Sequence, residues 1–233
     1  DLVEGFRLAS GWAASAFVTD QRTSMTRYDN PLLLVTDEKI ETVDQILPVL
    51  EVLAREGRPL VIFAEEVEGQ ALAALVMNTV RGTMKVAAVK APRYGEERRG
   101  ILEDLATSVG ATFVNRLSGM RVKEIKLHDL GSSSKIEISR NLTTIMGGKG
   151  DVDEIEKRVE TLKAQLSDTE NLHECERLQD RITKLASGVA VIRVGGATEI
   201  EMIEKKHRIE DALEAVKSAQ QEGIVAGGGT ALV

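Results

Sequence analysis

Apolar residues fall in short runs and in helical rows separated by glycine, and this pattern predicts most of the elements. The first thirty residues read as irregular, with a polar stretch from Thr19 to Asn30. Leu32 to Val35 is a short apolar run after Pro31 and reads as a buried strand. Ile46 to Glu56 reads as a helix ended at Gly57, and Pro59 to Ala64 as a second strand. Glu68 to Arg81 predicts a second helix closed at Gly82, and Lys85 to Val89 a third strand. Glu96 to Val109 predicts a third helix, and Ala111 to Val114 a fourth strand. Strands alternating with helices over short turns predict an α/β layer with a parallel sheet and right-handed crossovers.

Beyond Gly119 the alternation stops. Lys135–Ile138 and Thr143–Ile145 read as a strand hairpin, and Gly147 to Gly150 as a flexible joint. Val152, Ile155, Val159, Leu162 and Leu166, then Leu178, Ile182 and Leu185, recur at spacings of three and four. They predict an antiparallel helical hairpin with one apolar seam. Val189 to Val194 reads as a further strand, and Thr198 to Glu222 as a long charged helix ended at Gly223.

Composition narrows the function classes. The chain has 233 residues, enough for one large domain or two smaller ones. It carries 37 acidic against 30 basic residues, a net charge of −7, and only 3% aromatic residues. A nucleic-acid binder needs a basic stripe and stacking rings, so that class is disfavoured. No apolar run approaches the ~20 residues of a membrane span. Cys175 is the one cysteine, which excludes an internal disulfide and a cysteine-based zinc site. A lone reduced thiol fits the cytoplasm or an organelle interior. The start at Asp1 rather than Met leads us to expect a piece of a longer protein.

Candidate chemistry is sparse. The phosphate-binding patterns G-x-x-x-x-G-K-[ST] and strand-linked G-x-G-x-x-G do not occur. Gly227-Gly228-Gly229 after the last helix fits a helix end or a close backbone approach to a ligand. His128, His173 and His207 lack ligand spacing; His207 and Asp211, four apart on the last helix, could pair. The row Glu204 to Asp211 reads as a solvated face with a Glu204–Arg208 pair. The helices at 46–56 and 68–81 are unusual. Ile46, Leu47, Val49, Leu50, Val52 and Leu53 span roughly 220°, and Leu72, Leu75, Val76, Met77 and Val80 roughly 200°. A helix on one sheet face needs about half of that arc. The excess is met either by another element of the chain or by other proteins in an exposed groove. Periodicity alone does not choose.

Several strings are more specific than their periodicity. They are Leu-Pro-Val-Leu-Glu at 47–51, Ala-Glu-Glu-Val-Glu-Gly-Gln-Ala-Leu-Ala at 64–73 and Val-Met-Asn-Thr-Val-Arg-Gly-Thr at 76–83. With them go Lys-Val-Ala-Ala-Val-Lys-Ala-Pro at 85–92, Ser-Gly-Val-Ala-Val-Ile-Arg-Val-Gly at 187–195, Arg-Ile-Glu-Asp-Ala-Leu at 208–213 and Glu-Gly-Ile-Val-Ala-Gly-Gly-Gly at 222–229. Together, in order and over essentially the whole chain, they resemble the GroEL-type group I chaperonins.

The resemblance implies that residues 1–188 are an apical domain, 189–221 the C-terminal half of an intermediate hinge domain, and 222–233 the start of an equatorial domain. It implies a molecular chaperone that binds non-native polypeptides and, in competition, the mobile loop of a co-chaperonin. The family's binding positions fall on Trp12, Phe17, Leu47, Leu50, Leu72, Val76, Met77 and Asn78. Trp12 and Phe17 are expected at the working surface, and Leu50 or Leu72 to act in capture without supporting stability. Asp211 resembles the aspartate that completes an ATPase site, Gly227 and Gly228 a nucleotide-contacting turn, and Glu199 a member of an inter-domain relay. ATP and Mg2+ are thus implied for an intact, ring-forming homo-oligomer. This piece alone is expected to bind ATP poorly, to hydrolyse none and to be a monomer or weak oligomer.

The chain departs from the family pattern at three places. Ser10 stands where the family carries a basic residue, Ala16 where it carries tyrosine and Arg93 where it carries glycine. These suggest a divergent member. The competing classes are an α/β enzyme with a cleft at the strand C-terminal ends, and a scaffold or decoy that keeps the apical fold without chaperone cycling.

Overall fold

The computed structural model describes residues 2–3, 5–115, 117, 119–186, 189–190, 192, 194–227 and 230. It resolves into two compact units, 2–190 and 191–233. The mixed α/β architecture expected from the sequence is present.

The larger unit is organised by three strands, β4 (Leu32–Val35), β6 (Leu60–Ala64) and β8 (Val86–Lys90). They pair in parallel, Leu32 beside Leu60 and Leu60 beside Val86. Every residue of β4 and β6 is buried. Parallel strands covered on both faces read as continuous apolar runs, which is why these were visible in the sequence. The crossovers are α1 (Val43–Glu56) between β4 and β6, and α2 (Gly69–Val80) between β6 and β8. A minor parallel pair, β5 (Lys39–Ile40) with β7 (Glu66–Val67), ties the starts of the two crossovers together. On the other side of β4 the sheet turns antiparallel. There β9 (Gly131–Ile138) and β10 (Thr143–Gly148) form the expected hairpin, and β2 (Gly5–Leu8) pairs with β10. β3 (Thr26–Asp29) pairs with β9, and β1 (Leu2–Val3) with β11 (Val189–Ala190). The first thirty residues are therefore not irregular: they supply three strands. Two of these have only four residues and alternate in burial, so no apolar run marks them.

Two further expectations are corrected. Ala111–Val114 makes a single parallel bridge, Val114 with Thr36, and no strand. The first half of β4 is already taken, since Leu32 and Leu33 pair with Ser132 and Gly131 of β9. Gly147–Gly150 is a packed crossing, not a flexible joint. A Cβ on Gly148 would lie 2.3 Å from the Ser108 carbonyl oxygen, and one on Gly150 2.2 Å from that of Thr107. Glycine is needed there because the chain passes against the end of α3 (Gly95–Val109).

The helical hairpin forms as α4 (Val152–Asp168) and α5 (Leu172–Ala186). Its own core is Leu162, Leu178 and Ile182, flanked by Val159, Leu166 and Leu185. Toward the start of α4 the seam opens. Val152 is 58% exposed, and with Ile155 and Val159 it lines a cleft of about 470 Å³ floored by Phe6 and Ile145. The most buried tie of the hairpin to α3 is one carboxylate. Asp104 is 1% exposed and accepts from Arg158 Nε at 2.8 Å and from Arg181 Nε at 2.6 Å and Nη2 at 2.9 Å. Arg181 fits because position 100 is glycine; a Cβ there would meet its guanidinium at 2.9 Å.

In the smaller unit, α6 (Glu199–Glu222) is the expected long helix. Thr198 caps it by accepting from the Glu201 N–H at 3.2 Å. Pairs of opposite charge four residues apart line it: Glu201–Lys205, Glu204–Arg208 and Lys206–Glu210. The strand expected at 189–194 is described only as Val189–Ala190; residues 191 and 193 lie outside the described residues.

Two outcomes are expected. Asp104→Ala removes the buried acceptor shared by Arg158 and Arg181 and should cost about 3–5 kcal/mol in urea unfolding, with hydrogen exchange rising first in α4 and α5. Burial pushes the Tyr28 phenol up to about 12. An unfolded tyrosine titrates near 10, so the contribution of Tyr28 to stability is fully present below pH 10 and falls by roughly 3 kcal/mol as pH rises from 10 to 12. Tyr28→Phe should remove that part of the alkaline fall.

Candidate functional site

Both crossover helices start from well-determined corners. In α1 the Gln45 side-chain oxygen accepts from the Glu41 and Thr42 N–H groups at 2.9 Å, so the first turn is closed. α2 is tied to the start of α1 by Ala71 N–H donating to the Glu41 carbonyl at 3.0 Å. Lys39 bridges Glu41 at 3.1 Å and Glu68 at 2.5 Å, and these two carboxylates hold its ammonium pKa above the usual lysine range.

The two helices pack side by side over the sheet. α1 buries Ile46, Val49, Leu50 and Leu53. These span about 100° of its circumference, the arc that one sheet face requires. α2 buries fully only Ala71 and Leu75. Part of the excess apolar arc is met within the chain: the turn at Val122–Glu124 packs on α1, and the turn at Ser15–Phe17 on α2. The remainder faces outward. Leu47 is 46% exposed, Met77 50% and Val80 69%. Leu72 and Val76 are half-buried at the flank of the same stripe.

The other expected binding positions divide. Trp12 is half-buried, its main chain bridged to Val89 at the sheet edge, and its indole N–H is buried without a hydrogen-bond partner. Asn78 is half-buried and internally employed: its amide donates to the Ala74 carbonyl at 2.9 Å, and its side-chain oxygen accepts from Thr83 Oγ1 at 3.0 Å. Phe17 is fully buried, which corrects its expected place at the surface. Its one-turn helix tucks the ring beneath α2 and against β8. Leu50 is 6% exposed and belongs to the core, so it cannot be removed without a loss of stability.

Of the departures, Ser10 donates its hydroxyl to the Lys90 carbonyl. Arg93 adopts φ +64°, a left-handed conformation that costs a side-chain residue roughly 1–2 kcal/mol relative to glycine, and pairs with Glu97 at 3.5 Å. We find no structural consequence of Ala16.

Among the described residues, those implied in nucleotide chemistry do not converge. Glu199 and Asp211 are twelve residues apart on α6, about 18 Å along its axis. Asp211 and His207 are both exposed, and no ion pair joins them among the described residues. Gly227 lies in a turn with open space around it, and Gly228 lies outside the described residues. Among the described residues no group of three or more His, Cys, Asp or Glu side chains could hold a metal ion. His128 and His173 are exposed, beside Asp129 and Glu176 respectively.

Sequence reading did not single out the acidic residues at the carboxyl ends of the parallel strands. Asp37 faces Arg99 at 3.3 Å, Glu65 faces Arg98 at 2.9 Å and Glu66 faces Lys90 at 2.7 Å. The last contact lowers the Glu66 pKa. Each acid has a cation opposite it, which is an ion-pair belt and not a general acid–base pair. Val80 shares the exposed stripe with Met77, as its spacing of three from that residue indicates.

Among the described residues no helix is long and apolar enough to cross a membrane. The sequence profile of the TCP-1/cpn60 chaperonin family matches residues 19–233.

The exposures separate two neighbouring leucines. Leu50→Ser is expected to lose about 2–5 kcal/mol in thermal or urea unfolding, and Leu47→Ser to stay within about 0.5 kcal/mol of the parent. Equal losses would mean that Leu47 is also part of the core.

Proposed function

The chain belongs to the TCP-1/cpn60 chaperonin family, and we propose from that premise that the stripe across α1 and α2 captures non-native polypeptide. The observation that carries the proposal is the outward exposure of Leu47, Met77 and Val80 on adjacent helices above the fully buried strands β4 and β6. Non-native chains share exposed apolar surface and no common sequence. Burying that surface yields about 25 cal/mol per Å² without directional demands. Met77 suits the task, because a thioether side chain re-packs around different partners. Leu72, Val76 and Trp12 are half-buried against the core to which Phe17 and Leu50 belong, and on this reading they form the margin of the binding surface.

The motif strings support a group I, GroEL-type assignment and the division into apical, intermediate and equatorial parts. In the intact ring the same stripe would also receive the co-chaperonin's mobile loop, so that client and cap compete for one surface. Asp211, Gly227, Gly228 and Glu199 would act only when further parts of the ring complete a nucleotide site. ATP, with Mg2+, would then supply the free energy that biases the apical unit between capture and release. Release follows when that movement covers the apolar stripe.

The test is aggregation of a chemically denatured client on dilution, followed by light scattering. The parent chain should suppress scattering at stoichiometric ratios. Leu47→Ser combined with Met77→Ser should lose most of that suppression with an unchanged melting temperature. Full suppression by the double variant would place client binding elsewhere.

A further inference from the structure

We infer that the groove selects apolar segments that carry lysine or arginine beside the apolar anchors and rejects those that carry aspartate or glutamate. The inference rests on the proposed capture function and adds a charge rule to it. Helical spacing puts Asp44, Leu47, Glu51 and Ala54 on one stripe of α1, and all four are exposed. The matching exposed stripe of α2 is Gln70, Ala73, Met77 and Val80. Residues 43–54 and 69–80 contain no lysine or arginine, and Asp44 and Glu51 are their only acids. The first cations along the two helices are Arg55 and Arg81, at the C-terminal ends. Near the start of α1, Lys39 is shared by Glu41 and Glu68, which leaves one negative charge there as well.

Leu47 thus stands between two carboxylates, three residues after Asp44 and four before Glu51. A bound segment that buries a side chain against Leu47 brings its own neighbours within reach of both. A lysine or arginine there meets opposite charge. An aspartate or glutamate meets like charge and loses water without gaining a partner, and such repulsion is how a surface rejects one partner class. The apolar contact supplies capture, and the two acids bias what is captured. Each exposed pair contributes a factor of about two to five at low salt, and opposite charge also speeds encounter.

The experiment uses the full chain and two labelled peptides with the same leucine–valine–phenylalanine core, one flanked by lysines and one by glutamates. Binding is read by fluorescence anisotropy. The lysine peptide should bind about five- to tenfold more tightly at low salt. The gap should shrink to about twofold or less in Asp44→Asn/Glu51→Gln, and also at high salt, where the screening length falls to a few ångströms. Both peptides should weaken together in Leu47→Ser/Met77→Ser. Equal affinities that still depend on Leu47 and Met77 would overturn the charge rule and leave the groove standing. A charge preference that survives the neutralised variant would overturn its assignment to these two carboxylates. Binding that is absent, or indifferent to Leu47 and Met77, would overturn the groove and the rule with it.

Discussion

The larger unit depends on the need to bury three parallel strands on both faces. Leu32–Val35, Leu60–Ala64 and the first four residues of β8 expose almost nothing. Such a ladder has no face to give to water, so both its faces must be covered. Its edge at β8 is closed locally: Trp12 bridges Val89, and the Ala13 N–H donates to the Ala88 carbonyl at 2.7 Å. Alanines at 87 and 88 keep this edge low enough for that approach. The opposite side of the ladder continues into the antiparallel strands. The crossover helices α1 and α2 are therefore required by the sheet, but only through one side of each. What the turns at Val122–Glu124 and Ser15–Phe17 leave uncovered on the other side is free to serve binding.

The helical hairpin is attached by a different principle. Its internal apolar seam is short, and its link to α3 runs through Asp104, gripped by one arginine from each hairpin helix. A buried carboxylate between two guanidinium groups is a weak contributor to net stability and a strong determinant of geometry, since misplacing either arm leaves a buried charge alone. Arg158 also reaches Glu103 at 2.7 Å, and Arg181 donates to the Gly100 carbonyl at 3.3 Å, so the arms are fixed in direction as well as in reach. The open end of the seam, where Val152 faces a cleft, shows that apolar contact alone does not zip the hairpin onto the sheet.

The elements legible in the sequence were those whose burial is either complete or helically periodic. β4, β6 and β8 announced themselves as unbroken apolar runs, and α1, α2 and α3 by period and closing glycine. β2 and β3 were not legible, because four alternating residues beside a polar turn look like loop. Val114 looked like a strand because its neighbours are apolar, and only the prior claim of β9 on β4 prevents a ladder. The glycines at 148 and 150 carried a true signal with the wrong meaning: small size for packing, not freedom for bending. At the site, the excess apolar arc on α1 and α2 was visible, but not its division between core and surface. Phe17 and Leu50 are apolar residues on the right segments that happen to point inward. That depends on which way each helix is rolled on the sheet, and sequence spacing gives the roll only to within a residue.

α2 carries the consequence furthest. With only Ala71 and Leu75 fully buried, its apolar attachment is small for a helix of twelve residues. Its ends are instead held by polar bonds. At the start, the Glu68 N–H donates to the Ile40 carbonyl at 2.9 Å and the Ala71 N–H to Glu41. At the end, Thr79 Oγ1 reaches the Val86 carbonyl at 3.0 Å, and Thr83 closes on both the main chain and the side chain of Asn78. Hydrogen bonds at the two ends fix position without consuming apolar surface in the middle. The half-buried Leu72 and Val76 and the exposed Met77 and Val80 are therefore spared from the core. A helix fastened mainly by apolar contact would have had to bury them. On this account Asn78 would serve the proposed site through the helix end it secures, and its amide need not touch a ligand to matter for binding.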